Sequence, residues 1–169
     1  MSSLIIRPCT ERDIPAVQSI TWETWMDAYA SFVPVEDLRA YFEEHYSTRK
    51  LEDFLKGENS GGFIAECDSV PAGYARTSFN RDEGRFYVQS LYVLPAYQGH
   101  GLGTKLLAAS EERALDFRVD AVWLGVMVQN VRTVEWYRKI GFHFVEEAPF
   151  TMAKTTVNHL IGYRRIPSV

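Results

Sequence analysis

The sequence predicts one domain of the α/β (α+β) class, built around a mixed central sheet that packs in layers against helices. A length of 169 residues suits one hydrophobic core. The hydrophobic spacing is helical in the first third of the chain and alternates in the middle, as expected for strands. The last part alternates between strand and helix patterns. Helices, then strands, then alternating units favour a single mixed sheet, so we expect one domain over residues 1–169.

The first part of the chain predicts one strand and three helices. Thr10 followed by Asp13 is close to a capping box, and Pro34 suits the first turn of a helix. Leu38, Tyr41 and Phe42 would form the apolar face of the second helix. The predicted elements are a strand over residues 4–7, a helix over 11–25, a helix opened by Pro34, and a helix that starts at Ser47 or Thr48 and stops at Gly57.

The rest of the chain predicts six strands and two helices, with three strands before the first of these helices, one strand between the two, and a final pair that closes the sheet. Asp68-Ser69 separates two alternating runs and predicts a hairpin. Leu102, Leu106, Leu107, Ala114 and Phe117 follow at helical spacing, and Asn130 can cap a later helix. The predicted strands are 62–66, 71–78, 85–93, 121–126, 142–145 and 159–165, with helices from Leu102 and from Asn130 to Gly141.

Composition argues against several classes of function. The net charge of −4 and the pI of about 5.6 disfavour general nucleic-acid binding. The two cysteines do not make a disulfide framework, and the four scattered histidines do not predict a metal site. We see no signal-peptide run near the start and no uncharged stretch of 18 residues. These features lead us to expect a cytoplasmic protein that contacts neither membrane nor nucleic acid.

A glycine-rich segment between a predicted strand and a predicted helix is the most informative motif. It reads Gln98-Gly99-His100-Gly101-Leu102-Gly103-Thr104. Glycines allow a tight turn and close approach of a ligand, and free N–H groups at a helix start favour an anion such as a pyrophosphate. The spacing fails the dinucleotide fingerprint, and Gly103-Thr104-Lys105 reverses the P-loop order. The alternative interpretation is a turn that merely begins a helix.

The segment resembles motif A of the GNAT N-acetyltransferases, which reads Q-x-x-G-x-G. Two further stretches are similar to the family: residues 89–97, which read QSLYVLPAY, and residues 129–142, which read QNVRTVEWYRKIGF. The resemblance covers nearly the whole chain. Thr133-Val134 and Trp136 depart from the family pattern at packing positions. Residues 22–25, 34–38, 123–126 and 152–154 are more loosely similar to bacterial spermidine/spermine acetyltransferases.

The resemblance implies a three-layer GNAT-like sheet with helices on both faces and acetyl-CoA as co-substrate, with no metal. The strand before the loop would offer its backbone to the pantetheine and thioester, and the loop would hold the pyrophosphate. The residues implied to bind acetyl-CoA are Leu91, Tyr92, Val93, Gln98, Gly99, His100, Gly101, Leu102, Gly103, Thr104, Asn130 and Tyr137. His100 is interpreted as a loop residue and not as a catalyst.

Tyr137 is the predicted proton donor. It lies seven residues after Asn130, so both side chains share a helix face. A phenol stays protonated at pH 7 and can protonate a leaving thiolate, while an amide N–H near Leu91–Val93 stabilises the oxyanion. The alternative is a core aromatic. No base follows from spacing: Gln89 stands where similar enzymes often carry Glu, which leaves Glu83, a water chain through Tyr87, or no base.

The acceptor is predicted to be a primary amine, with a polyamine as the leading candidate. Trp22, Trp25 and Tyr29 lie on one helix face and, with Gln89, are the predicted substrate residues. Carboxylates make this region acidic, although most of them suit a solvated helix face equally well; they are Glu23, Asp27, Glu36, Asp37, Glu43 and Glu44. A protein N-terminus, an amino acid or an aminoglycoside remains an open alternative. So do a non-catalytic acyl-CoA sensor and a homodimer formed through exposed aromatics.

Overall fold

A computed structural model describes residues 2–168 as a seven-stranded sheet with five helices. The strands are β1 (Leu4–Pro8), β2 (Ser60–Cys67), β3 (Val70–Asn80), β4 (Arg85–Val93), β5 (Ala121–Met127), β6 (His143–Met152) and β7 (Thr155–Arg165). The helices are α1 (Ile14–Ala28), α2 (Val35–His45), α3 (Thr48–Lys56), α4 (Leu102–Leu115) and α5 (Val131–Lys139). Short 3₁₀ turns occupy Glu11–Asp13 and Pro95–Tyr97.

Local sequence signals explain where these helices start. The capping box at Thr10 and Asp13 is present, with the Thr10 backbone N–H donating to the Asp13 carboxylate at 2.8 Å. Ser47 rather than Thr48 caps α3, since its hydroxyl accepts from the Lys50 N–H at 3.3 Å. Gly101 precedes α4 in a left-handed conformation with φ +85°. The predicted positions of all five helices are therefore confirmed.

The sheet runs in the order β1-β2-β3-β4-β5-β7-β6 and separates two helical layers. Alternate residues of a strand face opposite sides, so Tyr74 packs with α1 to α3 while Ala75 packs against α4. A further core on the α4 side joins β4 and β5 to α5 through residues such as Val88, Val126 and Val134. The predicted three-layer arrangement, with helices on both faces of a mixed sheet, is confirmed.

The middle of the sheet contains a gap between β4 and β5. These two strands are parallel and pair only at Phe86–Val122 and Tyr87–Trp123, although both continue well beyond those residues. On its other side, β4 keeps pairing with β3, but the register shifts so that Gln89 is an extra residue. Such a bulge bends a strand and re-aims its side chains. The ends of β4 and β5 therefore separate and open a space between them.

The last hairpin is longer than the sequence predicted. Strands β6 and β7 extend to a turn at Ala153, which has φ +55°, instead of leaving residues 146–158 as a loop. β6 is an edge strand, and most of its residues are exposed, so hydrophobic alternation is weak along it. The missing alternation explains the error. The extra length matters because this hairpin forms one wall of the cavity described below.

Candidate active site

The glycine loop at the start of α4 has a backbone geometry suited to binding an anion. Gly99 and Gly101 have φ values of +82° and +85°, a region that side chains rarely adopt. The first backbone bond of the helix runs from the Lys105 N–H to the Gly101 carbonyl at 3.1 Å, so the preceding amides of 102–104 have no helical acceptor. The open backbone, together with the positive end of the helix dipole, fits a pyrophosphate group.

A groove of about 320 Å³ runs along this loop. It is lined by Leu91, Val93, Tyr97, Gln98, Gly99, Gly101, Leu102, Gly103, Thr104, Arg132, Thr133, Trp136 and Tyr137. His100 is exposed and lies outside this lining, in agreement with its interpretation as a loop residue. Most of the residues that the resemblance assigned to acetyl-CoA thus lie together in one groove.

The end of β4 presents two backbone amides to the gap. The Leu94 N–H donates to the Ala72 carbonyl on β3 at 2.9 Å. Because N–H groups alternate sides along a strand, the Tyr92 amide also faces β3, whereas those of Leu91 and Val93 face the gap. Gln98 fixes this end of the strand by donating its side-chain N–H to the Val93 carbonyl at 3.0 Å. Leu91 and Val93, and not Tyr92, therefore supply the free amides.

Helix α5 places Asn130 and Tyr137 beside the same gap. Asn130 is the N-cap of the helix and lines the larger cavity. Tyr137 is 5% exposed, packs edge-on against Phe142 with ring centroids 5.2 Å apart, and lines both the groove and the larger cavity. Burial raises the pKa of the Tyr137 phenol, with a smaller contribution from nearby Tyr29. The phenol therefore keeps its proton at neutral pH.

The larger cavity, of about 660 Å³, lies on the α1–α3 side of the sheet and is called the acceptor cavity below. Its walls come from α1, α2, β3, β4, β5 and the β6–β7 hairpin. It meets the groove at Leu91, Val93, Gln98, Arg132, Thr133 and Tyr137, which line both. Two cavities thus converge on the gap between β4 and β5.

The predicted substrate residues are only partly brought together. Trp25, Tyr29 and Gln89 line the acceptor cavity, and Tyr29 also approaches Tyr92. Trp22 does not line it: this ring packs edge-on against Phe42 at 5.4 Å and lies under the Arg39 guanidinium. The three aromatic residues of α1 therefore do not all face the cavity: Trp25 and Tyr29 line it, whereas Trp22 lies on the outer surface of the helical layer.

Comparison with known proteins decides the family. The profile of the acetyltransferase (GNAT) family matches residues 18–142, which include both the glycine loop and Tyr137. The chain belongs to the GNAT acetyltransferase family. The N-acetyltransferase class that the two motifs predicted is therefore confirmed.

Its relatives agree on the enzyme class and differ in the acceptor that they name. An uncharacterized N-acetyltransferase of Lactobacillus delbrueckii subsp. lactis is 23% identical over 158 residues, 90% of this chain and 91% of the relative. The thialysine N-epsilon-acetyltransferase of Bos taurus is 33% identical over 131 residues, which are 68% of this chain and 77% of the relative. The spermine/spermidine N(1)-acetyltransferase of Bacillus subtilis is 28% identical over 78 residues, which are 46% of this chain and 51% of the relative.

The same fold occurs in the PaiA N-acetyltransferase of Thermoplasma acidophilum, whose structure contains coenzyme A. The two structures superpose with a TM-score of 0.83 over 96% of this chain and 99% of the other, at 21% identity. This likeness shows that the acetyltransferase shares the whole GNAT architecture.

Most of the carboxylates predicted to make the substrate region acidic lie elsewhere in the acetyltransferase. Asp27, on α1, is the one of those six that lines the acceptor cavity. Asp37 is buried and accepts a hydrogen bond from the Thr155 hydroxyl at 2.5 Å, a structural role. The remaining four are exposed and outside the lining: Glu23, Glu36, Glu43 and Glu44. The cavity is thus much less acidic than the sequence implied.

Two candidates can accept the proton of the incoming amine. Tyr87 lines the acceptor cavity and donates its hydroxyl to Glu83, which lies in the exposed β3–β4 turn outside the cavity. His159, on β7, lines the cavity directly and stacks on Phe150 with centroids 4.3 Å apart. Burial lowers the pKa of His159 from its ordinary value of 6.5, so the imidazole is neutral at pH 7.

The cavity residues not predicted from the sequence include three from elements distant in the chain. They are Arg76 on β3, Tyr46 just after α2, and His159 on β7. The Tyr46 hydroxyl shares a hydrogen bond of 2.8 Å with Ser90. No local motif marks these positions, since a lone Arg or His in a strand carries no spacing. The predicted strand over residues 159–165 includes His159, but only the pairing of β7 with β5 places His159 opposite Met127 and near the gap.

Other kinds of site are not found in the described part of the chain. Residues 2–168 contain no group of three His, Cys, Asp or Glu arranged to hold a metal ion, and no helix long and apolar enough to cross a membrane. Cys9, just after β1, and Cys67, at the end of β2, are free and line neither cavity. The acetyltransferase therefore has no thiol nucleophile at the gap.

Proposed function

We propose that the protein transfers the acetyl group of acetyl-CoA directly to a primary amine bound in the acceptor cavity. The observation that carries this proposal is the junction at the β4–β5 gap, where the groove and the acceptor cavity share Tyr137, Leu91 and Val93. Two reactants held in separate cavities would meet beside these residues. A shared junction is what transfer between two bound molecules needs.

The residues of the groove fit acetyl-CoA. The amides of residues 102–104 and the open backbone at Gly99 and Gly101 would hold the pyrophosphate, and Asn130 would hydrogen-bond the pantetheine arm. When bound there, acetyl-CoA supplies a thioester, whose carbonyl carbon accepts a nucleophile. The Leu91 or Val93 amide would then donate to the carbonyl oxygen as that oxygen gains negative charge.

Tyr137 is placed to give a proton to the departing sulfur. Its hydroxyl belongs to a buried ring on the wall of both cavities, and burial holds its pKa above the ordinary value. Burial disfavours a thiolate for the same reason that it disfavours a phenolate, so both groups prefer the neutral form. Proton transfer from Tyr137 to the sulfur would release a neutral thiol and leave a phenolate on Tyr137, and this phenolate would regain a proton from solvent before the next turnover.

His159 is our candidate for accepting the proton of the amine. An alkyl ammonium has a pKa near ~10.4, so only roughly one amine in 10³ is neutral at pH 7. The neutral imidazole on the cavity wall can take up the released proton. The Tyr87–Glu83 pair offers a second route, in which a proton leaves the cavity through a phenol whose own pKa is raised by burial.

A polyamine remains one acceptor to test within the class of primary amines. It is supported by Asp27 and the aromatic rings of the cavity, and by partial similarity to the spermine/spermidine enzyme. The thialysine enzyme, which is similar over more of the chain, names a different acceptor. A cytoplasmic location and a homodimer also remain proposals.

Release of thiol from acetyl-CoA in the presence of a panel of primary amines tests the function. We expect release that depends on the amine and on Tyr137. Acetyl-CoA binding without release for any amine would instead favour a non-catalytic acyl-CoA sensor. Mass spectrometry of the product should show one added acetyl group on the amine and none on the protein.

A further inference from the structure

Arg76 introduces a positive charge into the acceptor cavity. It lies on β3, pairs across the sheet with Ser90 at the β4 bulge, and lines the cavity. Its guanidinium stacks over the Phe54 ring at 3.9 Å and lies 5.2 Å from the centre of the Tyr46 ring. Tyr46 is in turn hydrogen-bonded to Ser90. Two rings and a neighbouring strand thus fix where this cation lies.

The described part of the chain, residues 2–168, provides no anion for this cation. Within residues 2–168, no carboxylate oxygen lies within 4.0 Å of the Arg76 guanidinium, although seven other ion pairs of Arg or Lys and one of His occur in the same structure. The Nε atom of Arg76 is buried and has no hydrogen-bond partner among the described residues. A partly buried guanidinium without a carboxylate is costly, and contact with aromatic rings offsets only part of that cost.

The position of Arg76 distinguishes it from the other arginine stacked on a helical-layer aromatic. Arg39 lies over Trp22 on the outer surface and faces solvent, where water compensates its charge. Arg76 instead faces the cavity in which the acceptor binds. Asp27, on the opposite helical wall, is the carboxylate that lines the same cavity, so the cavity carries charges of both signs.

We propose that Arg76 binds a carboxylate of the acceptor, so that the acceptor is an amine of the amino-acid class and not a simple polyamine. The two N–H groups along one edge of a guanidinium match the two oxygens of a carboxylate. A polyamine carries only positive charge and would be repelled by Arg76. This inference rests on the proposed function, because it specifies which primary amine the same cavity accepts.

The test uses pairs of amines that differ only by one carboxylate: lysine and cadaverine, ornithine and putrescine, alanine and ethylamine. We expect thiol release with a higher kcat/KM for at least one amino acid than for its decarboxylated partner. Arg76→Gln should lower that preference by about 10-fold or more, the usual effect of losing a charge-assisted pair, and Arg76→Lys should restore part of it. Arg39→Gln, which also removes a stacked guanidinium, should leave the preference unchanged.

A binding measurement makes the test independent of turnover. Calorimetry with N-acetyllysine and N-acetylcadaverine should show tighter binding of the carboxylate form in the wild type and equal binding in Arg76→Gln. Thiol release with equal or better kcat/KM for every decarboxylated amine would overturn the role of Arg76 while the acetyltransferase function stood. Absence of thiol release with all six amines would count against the proposed function. Calorimetry would then test by itself whether Arg76 binds a carboxylate. Equal binding of both products to the wild type would overturn the inference in that case too.

Discussion

The groove and the acceptor cavity meet at one gap but are encoded in different ways. The groove is formed largely by two contiguous stretches, the glycine loop and α5, and much of what it offers is backbone. The acceptor cavity is formed by single side chains from elements that span residues 24–161. A site made of backbone groups needs a fixed local conformation, so it is recognisable as a motif in the sequence. A site made of side chains from distant elements depends on the fold as a whole, so it has no local sequence motif.

The family match reflects this difference. It covers residues 18–142 and ends before the β6–β7 hairpin, which supplies Phe150, Met152 and His159 to the acceptor cavity. The groove proposed to hold acetyl-CoA is therefore largely within the recognised region. Part of the wall of the acceptor cavity is outside it, so the choice of acceptor must be determined by experiment.

The largest effect is expected where the two regions meet. Tyr137→Phe keeps the buried ring and removes the proton, so kcat should fall about 10²- to 10⁴-fold, the usual contribution of a positioned acid. Acetyl-CoA affinity should change little. The high-pH limb of wild-type kcat should lie above pH 10, because burial raises the pKa of Tyr137, and this limb should be lost in the variant.

Tyr163→Phe is the matched control for that measurement. The Tyr163 ring packs at a tilt against Trp123, with centroids 5.0 Å apart, and lines neither cavity, so loss of its hydroxyl should leave kcat unchanged. Near-normal turnover of Tyr137→Phe, measured where chemistry limits the rate, would show that Tyr137 is a core aromatic only.

A backbone change should affect the groove alone. Gly101→Val forces a β-branched residue into φ +85°, at a cost of at least about 1–2 kcal/mol, and displaces the free amides. We expect the Kd of acetyl-CoA to rise about 10- to 100-fold by calorimetry. Gly84→Val imposes similar strain at φ +65° in the distant β3–β4 turn and should destabilise the fold without changing the Kd. Equal Kd values for both variants would contradict a pyrophosphate site at the loop.

Acidic pH should affect the acceptor side first. The pKa of His159 is lowered by burial, so the neutral imidazole is present at pH 7 and is lost as pH falls below 6.5 through the shifted value. The kcat/KM for the amine should fall over the same range. His159→Gln should remove this limb and lower kcat/KM at pH 7 roughly 10-fold, less than the 10²- to 10⁴-fold typical of an obligatory base, because some amine arrives neutral.

His143→Gln provides the control for that profile, since His143 is exposed on β6 and lines neither cavity. Its pH profile should match the wild type. If the acidic limb survives in His159→Gln, the proton leaves by the Tyr87–Glu83 route.

The smallest effect is expected from the exposed carboxylate of the acceptor cavity. Asp27→Asn should raise KM for a cationic amine about two- to fivefold, as for an exposed ion pair, and added salt should weaken wild-type binding. Glu23→Gln, one turn earlier on α1 but outside the cavity, should have no such effect. Equal KM changes in the two variants would indicate that the overall negative charge of this surface, and not a contact with Asp27, attracts the amine.

The fold and the groove could be predicted from the sequence because each depends on local chemistry. Caps, glycines and period changes located the helices and most strands, and residues 98–104 indicated the anion site. Both Tyr137 and Trp22 were predicted site residues, but only Tyr137 lines the cavities. Helical spacing predicts which residues share a face, but it does not predict what covers that face, and Trp22 is covered by Phe42 and Arg39. The register shift at Gln89 and the cation at Arg76 both depend on pairing between strands, which no single segment reveals.

The gap between β4 and β5 also fixes the kinetic form of the reaction. The groove and the acceptor cavity share six lining residues and otherwise have different walls, so under the proposed function both reactants can be bound at the same time. Neither cavity is lined by a cysteine that could store the acetyl group between two half-reactions. Double-reciprocal plots at several fixed amine concentrations should therefore intersect, and the rate should depend on a ternary complex.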